Sequence, residues 1–525
     1  MKKIISILLV LLILTSCFLS ACGSEKAAVQ STDKYRNYYQ IFINSFCDSN
    51  DDETGDIPGI ISKLDYLNDG DPNAGEDLGI DGIWLSPMMP SKSYHKYDVE
   101  DYENIDPDFG TLEDFDTLIS ECNKRGIVVI IDLVLNHSSN NHPFFKKACE
   151  ELKNDNTEGY AKYYNFSKQS SPTFKHKVND ASYYYQGEFS SEMPDWNLSY
   201  KGTRDFFSEV AKFWIDRGVA GFRLDAVKYF TDTNTDGKEF LSWFYSTCKS
   251  YKDDIYMVGE DWEDPGYTYD YYETGIDSLF NFKFAQSSGV YTTIARSGQI
   301  SNYVKDLKKY NDNILKRNDL AINANFLSNH DMVRVANTLD ENENKFAAML
   351  YLLSPGNSYT YYGEEIGIEA PNTSNDASFR TAMIFDNDNL PDIYVNGVAE
   401  VEPNELGGVK QQLSQENSLL NTYRELIKIK LQNPEISRGK ITDTIQGKGT
   451  KCAGYVEEYQ NKKLIILYNG DSQESEIDVS EKASSVSLLS EKVVTDTGKS
   501  TTERVNVSGT NIIMPSMSVA ILEVK

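Results

Sequence analysis

Two charged side chains interrupt a short apolar segment near the middle of the chain. Residues 221–230 read GFRLDAVKYF, in which Arg223 and Asp225 are two positions apart. Residues i and i+2 of a β-strand point to the same face, where an unpaired buried charge is costly. The segment is therefore either a structural ion pair or part of a reaction centre.

Polar residues also follow other apolar segments. They are Asp132, Asn136 and His137 in DLVLNH, Lys228 in the segment above, Glu260 after IYMVG, and Asn329, His330 and Asp331 in SNHD. The chain has only five histidines, and His95, His137 and His330 all fall at such positions. Two facing carboxyl groups can cleave a glycosidic bond, since one attacks the anomeric carbon while the other protonates the leaving oxygen. Spacing alone indicates no more than a hydrolase or isomerase with paired carboxylates.

Eight apolar segments alternate with amphipathic, helix-like stretches. The candidate strands are 39–46, 79–87, 126–137, 218–226, 255–260, 275–282, 321–330 and 358–365. This pattern predicts an α/β protein with a (β/α)8 TIM barrel, whose catalytic groups lie at the carboxyl ends of the strands. The alternative is an open doubly wound sheet. It is less well supported, because no GxGxxG or GxxxxGK[ST] phosphate-binding loop follows any predicted strand.

The predicted domain boundaries follow changes in amino-acid composition and in the pattern of predicted strands and helices. The barrel covers 35–440, with an inserted subdomain at 138–200 after the third strand, where Tyr, Ser, Asn and Lys are frequent. Residues 441–525 contain short strands and turns without a long amphipathic helix, which predicts a C-terminal all-β sandwich domain.

The first residues have the pattern of an export signal. MKK precedes the apolar run IISILLVLLIL, and LSAC at 19–22 resembles the lipobox of bacterial lipoproteins. We therefore predict a signal peptide at 1–21, lipidation of Cys22 and a flexible tether at 22–34. The protein would be exported and lipid-anchored to the bacterial cell membrane, facing outside the cytoplasm. An ordinary secretory signal with an accidental cysteine is the alternative.

The net charge limits the possible partners, and the spacing of the cysteines indicates their chemical state. The formal net charge of −29 argues against nucleic acid or an anionic membrane surface as partner, so membrane contact is expected only through the lipid anchor. The five cysteines beyond Cys22 are scattered without CxxC spacing and are expected to be free or buried thiols. We expect a monomer.

The ordered motifs resemble those of the alpha-amylase family of glycoside hydrolases, family 13. The four main signatures correspond to DLVLNH, GFRLDAVKY, VGED and FLSNHD, and MPDWN at 193–197 resembles a further signature of the inserted domain. SYHKYDVEDYENIDPDFGT and YYGEEIGI also match, so the resemblance covers nearly the whole chain from residue 35.

The resemblance implies a role for individual residues. Asp225 would be the nucleophile, Glu260 the general acid/base, and Asp331 would stabilise the cationic sugar at the transition state. Arg223 would keep Asp225 ionised, because a neighbouring cation lowers a carboxyl pKa. The other residues expected at the substrate are His95, Tyr97, His137, Lys228, Tyr229, His330 and Arg380.

Two positions bear on specificity. In the family, Ala after the nucleophile accompanies cleavage of α-1,4 bonds and Val accompanies α-1,6 specificity; this chain has Ala226. Tyr229 stands where amylases usually have His, beside Lys228 on the leaving-group side. Because of this departure at Tyr229, the resemblance does not define the chain-length preference or the balance of hydrolysis and transfer.

An acidic loop follows the first strand. DSNDDETGD at 48–56 resembles a calcium loop of many relatives, which implies a Ca²⁺ bound by Asp48, Asn50, Asp52, the Thr54 carbonyl and Asp56. Without the resemblance, an acidic surface turn is the alternative. Relatives have Gly where this chain has Asp51 and Glu53, and a tight loop can need positive φ there.

The sequence thus predicts an extracellular retaining alpha-amylase that hydrolyses internal α-1,4 bonds of starch and maltodextrins, with an α-glucan as its partner, Ca²⁺ bound and no organic cofactor. An exo-acting α-glucosidase or a 4-α-glucanotransferase on the same scaffold is the nearest alternative. A non-catalytic sugar-binding lipoprotein would have lost at least one of the three acids, and a two-metal sugar isomerase would need clustered metal ligands that these motifs lack.

Overall fold

A computed structural model describes residues 33–71, 75–232, 235–263, 265–396 and 401–525. The predicted signal peptide, Cys22 and the tether up to residue 32 lie outside these ranges. No helix within them has the length and apolar character needed to cross a bilayer.

Eight parallel strands form the barrel. They are β1 (Asn37–Ile41), β2 (Gly82–Leu85), β3 (Val128–Leu133), β7 (Gly221–Leu224), β8 (Tyr256–Gly259), β9 (Ser278–Leu279), β10 (Ala324–Phe326) and β11 (Asn357–Tyr361). Their order is β10-β11-β1-β2-β3-β7-β8-β9, and a parallel bridge between Phe280 and Ala324 joins the two ends. Each of the eight predicted strands is confirmed, and so is the closed barrel.

Helices connect and surround these strands. They are α1 (Ile43–Phe46), α2 (Ile57–Ser62), α3 (Leu64–Leu67), α4 (Leu112–Lys124), α5 (Pro143–Lys153), α6 (Lys201–Asp216), α7 (Gly237–Tyr251), α8 (Pro265–Tyr271), α9 (Val290–Ser297), α10 (Ile300–Arg317), α11 (Glu341–Leu352), α12 (Asp376–Phe379), α13 (Val409–Leu413), α14 (Leu419–Gln432) and α15 (Glu435–Arg438). The 3₁₀ turns are Tyr160–Tyr163, Val227–Phe230, Tyr272–Thr274, Val335–Asn337 and Glu364–Ile366.

Local sequence accounts for the start of α4. Thr111 accepts the backbone N–H of Asp114, and the Asp114 carboxylate accepts the backbone N–H of Thr111, which makes a capping box. Such a box satisfies N–H groups that a helix start leaves unpaired. Phe115, Leu118, Ile119 and Cys122 then lie on one buried face.

Aromatic side chains fill the barrel interior below the carboxyl ends of the strands. Tyr38 stacks on Tyr359 at 4.8 Å and on Tyr256 at 5.5 Å between ring centroids. Trp84 and Phe280 belong to the same buried cluster. Because this layer is closely packed, the polar side chains directly above it have little room to move.

The inserted subdomain and the C-terminal domain take the predicted forms. The insertion contains α5 and a small sheet of β4 (Phe166–Ser167), β5 (His176–Lys177) and β6 (Tyr184–Tyr185). The C-terminal part has a five-stranded sheet in the order β12-β13-β14-β19-β16 and a three-stranded sheet in the order β15-β18-β17, with buried apolar side chains shared between them. Its strands are β12 (Lys440–Gln446), β13 (Cys452–Tyr459), β14 (Lys462–Asn469), β15 (Ser475–Asp478), β16 (Val486–Val493), β17 (Asn506–Ser508), β18 (Asn511–Met514) and β19 (Ser518–Val524).

The described cysteines are unpaired. Cys47, Cys122, Cys149, Cys248 and Cys452 are all free thiols, as the sequence predicts for these five positions.

Candidate active site

Three acids meet at the carboxyl end of the barrel. Asp225 follows β7, Glu260 follows β8, and Asp331 lies in the loop after β10. Backbone bonds tie the first two together, since Glu260 N–H donates to Leu224 O at 2.9 Å and Val227 N–H donates to Glu260 O at 2.9 Å. The two carboxyl groups are therefore positioned by neighbouring strand ends and not by a mobile loop.

One guanidinium contacts three carboxyl groups. Arg223 Nη1 lies 2.8 Å from Asp225 Oδ1 and 2.8 Å from Asp132 Oδ1, and its Nη2 lies 3.1 Å from Glu260 Oε2. The Arg223 side chain is buried, with Trp84 beneath it at 5.2 Å. Asp132 pairs with Arg223 in the register of β3 and β7, which explains their direct contact.

A second network continues from Asp132 to the far side of the site. Tyr97 donates its hydroxyl to Asp132 Oδ2 at 3.0 Å and lies 2.6 Å from His330 Nε2. His330 Nδ1 lies 2.8 Å from Gln40 Nε2, and its Nε2 lies 3.0 Å from Asp331 Oδ2. A neutral His330 that accepts from Gln40 and carries its proton on Nε2 satisfies these contacts.

Asp331 is held by a cation of its own. Arg380 Nη2 lies 2.8 Å from Asp331 Oδ1, while Arg380 Nε donates to the His330 carbonyl at 3.0 Å. Arg380 also donates to the Tyr94 hydroxyl at 2.6 Å. The sequence predicts Arg380 near this pocket, and the structure places it in direct contact with the third acid.

Burial dominates the pKa of the nucleophile candidate. It raises the pKa of Asp225 to about 7, although Arg223 acts in the opposite direction, and Asp132 and Asp331 add to the increase. Burial likewise raises the pKa of Glu260 to about 7, with Arg223 opposing it and Asp225 reinforcing it. The sequence-based expectation is that Arg223 lowers the pKa of Asp225, and its contribution does have that sign. The pKa is nevertheless raised overall, because burial has the larger effect.

The other titratable groups are driven to defined charge states. Although burial acts to raise it, the pKa of Asp331 lies well below its usual range because His330 and Arg380 stabilise the anion. Burial lowers the pKa values of His95 and His137 to about 4. Near neutral pH the site therefore presents an ionised Asp331 and neutral histidines, which can exchange hydrogen bonds with hydroxyl groups.

A cavity of about 640 Å³ contains the three acids. Of the predicted residues, His95, Tyr97, His137, Asp225, Lys228, Tyr229, Glu260, Asp331 and Arg380 line it. Arg223 and His330 lie behind its wall, with fully buried side chains, so they act on the cavity through Asp225 and Asp331. The predicted hydrogen bond from His330 to a sugar hydroxyl has no exposed ring atom to make it here.

Five further residues line the cavity that sequence reasoning missed. They are Phe189, Ser190, Met193, Trp262 and Asp376. Trp262 could have been found, because it lies two residues after Glu260 at the same strand end. Met193 could also have been found, because it begins the MPDWN motif. Phe189 and Ser190 lie in the inserted subdomain and Asp376 begins the short helix α12, and the sequence pattern does not define the course of either segment.

The residue after Asp225 has an unusual backbone. Ala226 adopts φ 51° and ψ 42°, the left-handed region, and its N–H donates to Glu260 Oε2 at 3.1 Å. A non-glycine residue pays about 1 kcal/mol or more for this conformation. This turn connects the backbone next to Asp225 with the side chain of Glu260.

This arrangement suits a reaction that needs one ionised and one protonated carboxyl group. Asp132, Asp225 and Glu260 share a single cation, so full ionisation would leave two uncompensated negative charges in a buried site. One proton is therefore retained by the Asp225–Glu260 pair. The shorter contact with Arg223 favours the anion at Asp225, and Glu260 is left with the proton.

The loop at 48–56 is organised by its own side chains. Asp48 Oδ1 accepts the N–H groups of Asn50 and Asp51, and Asn50 and Asp52 each accept the N–H two residues further on. Asp56 instead caps α2 by accepting from Gly59. In the described ranges, no cluster of three or more His, Cys, Asp or Glu side chains is arranged to hold a metal ion.

Comparisons with known proteins agree with this site. Residues 40–439 match the family described as alpha-amylase, catalytic domain. Alpha-amylase 3 of Dictyoglomus thermophilum is 34% identical over 456 residues, which cover 83% of this chain and 85% of that protein. Among solved structures, Eubacterium rectale Amy13B is 36% identical with a TM-score of 0.85, covering 94% of this chain and 96% of that one.

A relative named for a different activity is also similar. The glucan 1,6-alpha-glucosidase of Streptococcus pneumoniae is 28% identical over 519 residues, which cover 85% of this chain and 93% of that protein. The family match spans most of the chain, and the three acids lie at the strand ends where a barrel of this kind carries its catalytic groups. The chain therefore belongs to the alpha-amylase family of glycoside hydrolases.

Proposed function

We propose that this protein is an extracellular, retaining alpha-amylase that hydrolyses internal α-1,4-glucosidic bonds of starch and maltodextrins. The contact of Arg223 with both Asp225 and Glu260 carries the proposal. Retaining glycosidases hold their two carboxyl groups about 5 Å apart, whereas inverting enzymes leave room for a water molecule between them. Two carboxyl groups bound to neighbouring nitrogens of one guanidinium fit the closer spacing.

The mechanism assigns each carboxyl group a task. Asp225 attacks the anomeric carbon while Glu260 gives its proton to the leaving oxygen, and a covalent glycosyl ester forms. Glu260, now ionised, deprotonates a water molecule that attacks the same carbon and releases Asp225. Asp331, ionised beside Arg380, stabilises the positive charge on the sugar in both transition states.

The backbone at Ala226 supports the α-1,4 assignment. Its methyl group lines the cavity at φ 51°, a conformation that a β-branched residue tolerates poorly. A valine, which accompanies α-1,6 specificity in the family, would therefore be strained here. The small side chain leaves space beside Asp225 for the bond being cleaved.

The test is product analysis on maltoheptaose whose non-reducing end is blocked. Internal cleavage with α-anomeric products is expected from the wild type. Glucose released only from unblocked chains would instead identify an exo-acting α-glucosidase, and loss of the α-anomer would contradict retention. With blocked and with unblocked maltoheptaose, Asp225→Asn should lower kcat at least about 10⁴-fold, and the variant should still fold.

We also propose that the loop at 48–56 binds Ca²⁺. All its donors are oxygens, as this cation prefers, and none of its acids has an ion-pair partner in the described part of the chain. Its carboxylates accept backbone N–H groups and are not gathered into one cluster, so binding requires them to turn inward. Calorimetric titration of the metal-stripped protein should show one Ca²⁺ site that Asp48→Asn and Asp52→Asn remove.

Export and anchoring are further parts of the proposal. They rest on the LSAC segment, since Cys22 lies outside the described residues. Membrane fractionation with mass spectrometry should find a lipidated Cys22 at the mature N-terminus, and Cys22→Ala should release the protein from the membrane. Light scattering of the released form should give the mass of one chain.

A further inference from the structure

Lys96 has an unusual backbone for a buried residue. Its φ is 64°, in the left-handed region, and the residue is 5% exposed. Ten described residues other than glycine have a positive φ, and only Lys96 and Ala226 among them are buried. Ala226 lines the cavity that contains the three acids, and so do His95 and Tyr97, the two neighbours of Lys96. Both buried examples of this costly conformation therefore lie at the proposed reaction centre.

The ammonium group of Lys96 forms a buried ion pair. Nζ lies 2.8 Å from Asp106 Oδ2, and the two side chains are 7% and 6% exposed. Nζ also donates to the Ser91 carbonyl at 3.3 Å and lies 5.2 Å from the centre of the Phe109 ring. Asp106 is fixed in turn, because its backbone N–H donates to the Met88 carbonyl at 2.8 Å. The cation is thus held on several sides by groups that are themselves fixed.

The 91–99 loop carries this ion pair and both neighbouring cavity residues. An antiparallel bridge between Ser91 and Val99 closes its base. Inside the loop, the Asp98 carboxylate accepts the hydroxyl groups of Ser91 and Ser93. These bonds fold the loop onto itself, whereas the ion pair ties the middle of the loop to the segment that follows it in the chain.

The two cavity residues of the loop depend on its backbone for their orientation. His95 Nδ1 lies 3.1 Å from the Tyr97 backbone nitrogen and 3.0 Å from Ser93 Oγ, while Nε2 has no partner among the described residues. The Tyr97 hydroxyl donates to Asp132 at 3.0 Å, and its ring stacks on His330 with 5.5 Å between centroids. A rotation of the backbone between these two rings would displace both of them.

Stability alone does not account for Lys96. A left-handed backbone costs free energy in any residue other than glycine, and a buried ion pair is often no more stable than apolar side chains of similar volume. Strain of this kind persists where the surrounding structure imposes it, and it is concentrated at active sites. The position of Lys96 between two cavity residues is therefore the feature that explains both costs.

We propose that Lys96 is a positioning residue, whose bond to Asp106 holds the 91–99 loop in the turn that brings His95 and Tyr97 into the cavity together. The proposal rests on the glycosidase activity proposed above. Lys96 does not line the cavity, so it acts on the substrate only through its two neighbours. When the bond is lost, the loop relaxes, both rings leave their places beside the sugar, and the reaction slows.

The first test compares Lys96→Met and Asp106→Asn with the wild type on maltotetraose, at a temperature where circular dichroism shows all three to be folded. Each variant should lower kcat/KM at least about tenfold, because small displacements of positioning groups are costly. Lys96→Arg, which keeps the cation, should retain most of the activity. Lys345→Met removes another buried ammonium, 2.7 Å from Glu341 and outside the cavity lining, and should leave kcat/KM unchanged.

The second test measures the pKa of His95 by NMR of histidine-labelled protein, with the signal assigned by its loss in His95→Gln. The pKa should rise in both Lys96→Met and Asp106→Asn, because a relaxed loop exposes the ring to water. Electrostatics alone would shift it in opposite directions, since one variant removes a positive charge and the other a negative charge. If Lys96→Met does not fold, a fall of the pKa in Asp106→Asn is the contradicting result and a rise is the supporting one.

The two proposals fail in different ways. A wild type without activity on maltotetraose would overturn the proposed function, and the pKa of His95 would still decide the role of Lys96. An active wild type whose kcat/KM is unchanged in Lys96→Met and Asp106→Asn would overturn the role of Lys96 alone. Opposite pKa shifts in the two variants would do the same.

Discussion

Arg223 and Asp225, two residues apart on β7 and at its end, are joined by a 2.8 Å bond between Nη1 and Oδ1. The same guanidinium also contacts Asp132 and Glu260. The pair is thus a structural ion pair, and Asp225 also lines the cavity of the proposed reaction centre. Among the described residues, Arg223 is the one cation in contact with these three buried carboxyl groups. The protonation state of Asp225 and Glu260 therefore depends on the negative charge of Asp132, which interacts with the same guanidinium.

We expect a bell-shaped dependence of kcat/KM on pH, and a shift of that bell in Asp132→Asn. Activity needs one proton on the Asp225–Glu260 pair, whose members both have a pKa raised to about 7 by burial. Asp132 raises the pKa of Asp225 and competes for Arg223. Its neutralisation should lower both pKa values and move the whole bell toward acid by roughly one pH unit.

The measurement is kcat/KM on maltotetraose between pH 4 and pH 9. Asp116→Asn, which removes an exposed carboxylate from α4, serves as the matched control and should leave the profile unchanged. A shift toward alkaline pH in Asp132→Asn would contradict the assignment, because it would mean that Asp132 mainly stabilises the ionised forms of Asp225 and Glu260.

The stability of Glu260→Gln should depend on pH in a defined direction. Burial raises the pKa of Glu260 from 4.5 to about 7, so between these values the folded state binds more protons than the unfolded state. Its contribution to the free energy of unfolding therefore decreases as pH rises through this window, by up to about 3 kcal/mol. Glu260→Gln, which cannot ionise, should unfold at a higher temperature than the wild type at pH 8.

At pH 4 the two proteins should unfold at similar temperatures, since the carboxyl group is then neutral in the folded and unfolded states alike. Thermal unfolding followed by circular dichroism at both pH values measures this. An equal gain at pH 4 and pH 8 would show that packing, and not ionisation, causes the difference.

The fold and the three acids could be predicted because their signals are local in sequence. The eight strands are short apolar segments followed by polar residues. Asp225 and Glu260 come directly after their strands, whereas Asp331 lies five residues after β10, and the roles of all three acids rest on the resemblance of their motifs to those of the family. The predicted segments overlap every strand of the barrel but are longer than the strands of the structure. Hydrophobicity continues past the last ladder hydrogen bond, so a pattern cannot locate the strand boundary.

The net direction of the pKa shift of Asp225 and the position of Phe189 in the cavity wall could be found only from the three-dimensional structure. The i, i+2 spacing predicts that Asp225 contacts Arg223, which lowers the pKa of Asp225. The spacing does not show how deeply Asp225 is buried, and this burial raises the pKa by more than Arg223 lowers it. Phe189 lies in the insertion, where no period of hydrophobicity fixes the path of the chain. Its contacts with His137 and Tyr229 come from segments roughly 50 and 40 residues away in sequence.

The acidic loop should be stabilised by glycine at two positions. Asp51 and Glu53 have φ values of 63° and 69°, in the left-handed region that favours glycine. Glu53→Gly should raise the free energy of unfolding by about 1 kcal/mol, and Asp51→Gly by less, because Asp tolerates this region better. Chemical denaturation in Ca²⁺-free buffer measures both.

Glu53→Ala is the matched control, because it removes the same charge and keeps the constraint of a Cβ. The gain expected from backbone relief is the difference between the glycine and alanine variants. Equal stability of the two would show that charge repulsion within the loop, and not backbone strain, limits its stability.

A buried pair between the barrel and the C-terminal domain should be dispensable for stability. Lys430 on α14 and Glu457 on β13 are buried, and neither side chain has a hydrogen-bond partner among the residues the structure describes. Burial lowers the pKa of Lys430 to about 7 and raises that of Glu457 well above its usual range. Burial of each group therefore costs desolvation free energy that no hydrogen bond offsets.

The double variant Lys430→Met/Glu457→Met should therefore unfold with a free energy about 1 to 4 kcal/mol higher than the wild type, because apolar side chains of similar volume avoid that desolvation. Asp443 and Lys482, an exposed pair 2.7 Å apart in the same domain, provide the control, and their double replacement by Met should change stability by less than about 1 kcal/mol. Destabilisation of the buried double variant would instead show that water-filled space around Lys430 and Glu457 supports the junction. Activity on maltotetraose should stay unchanged in both double variants, since neither pair lines the cavity.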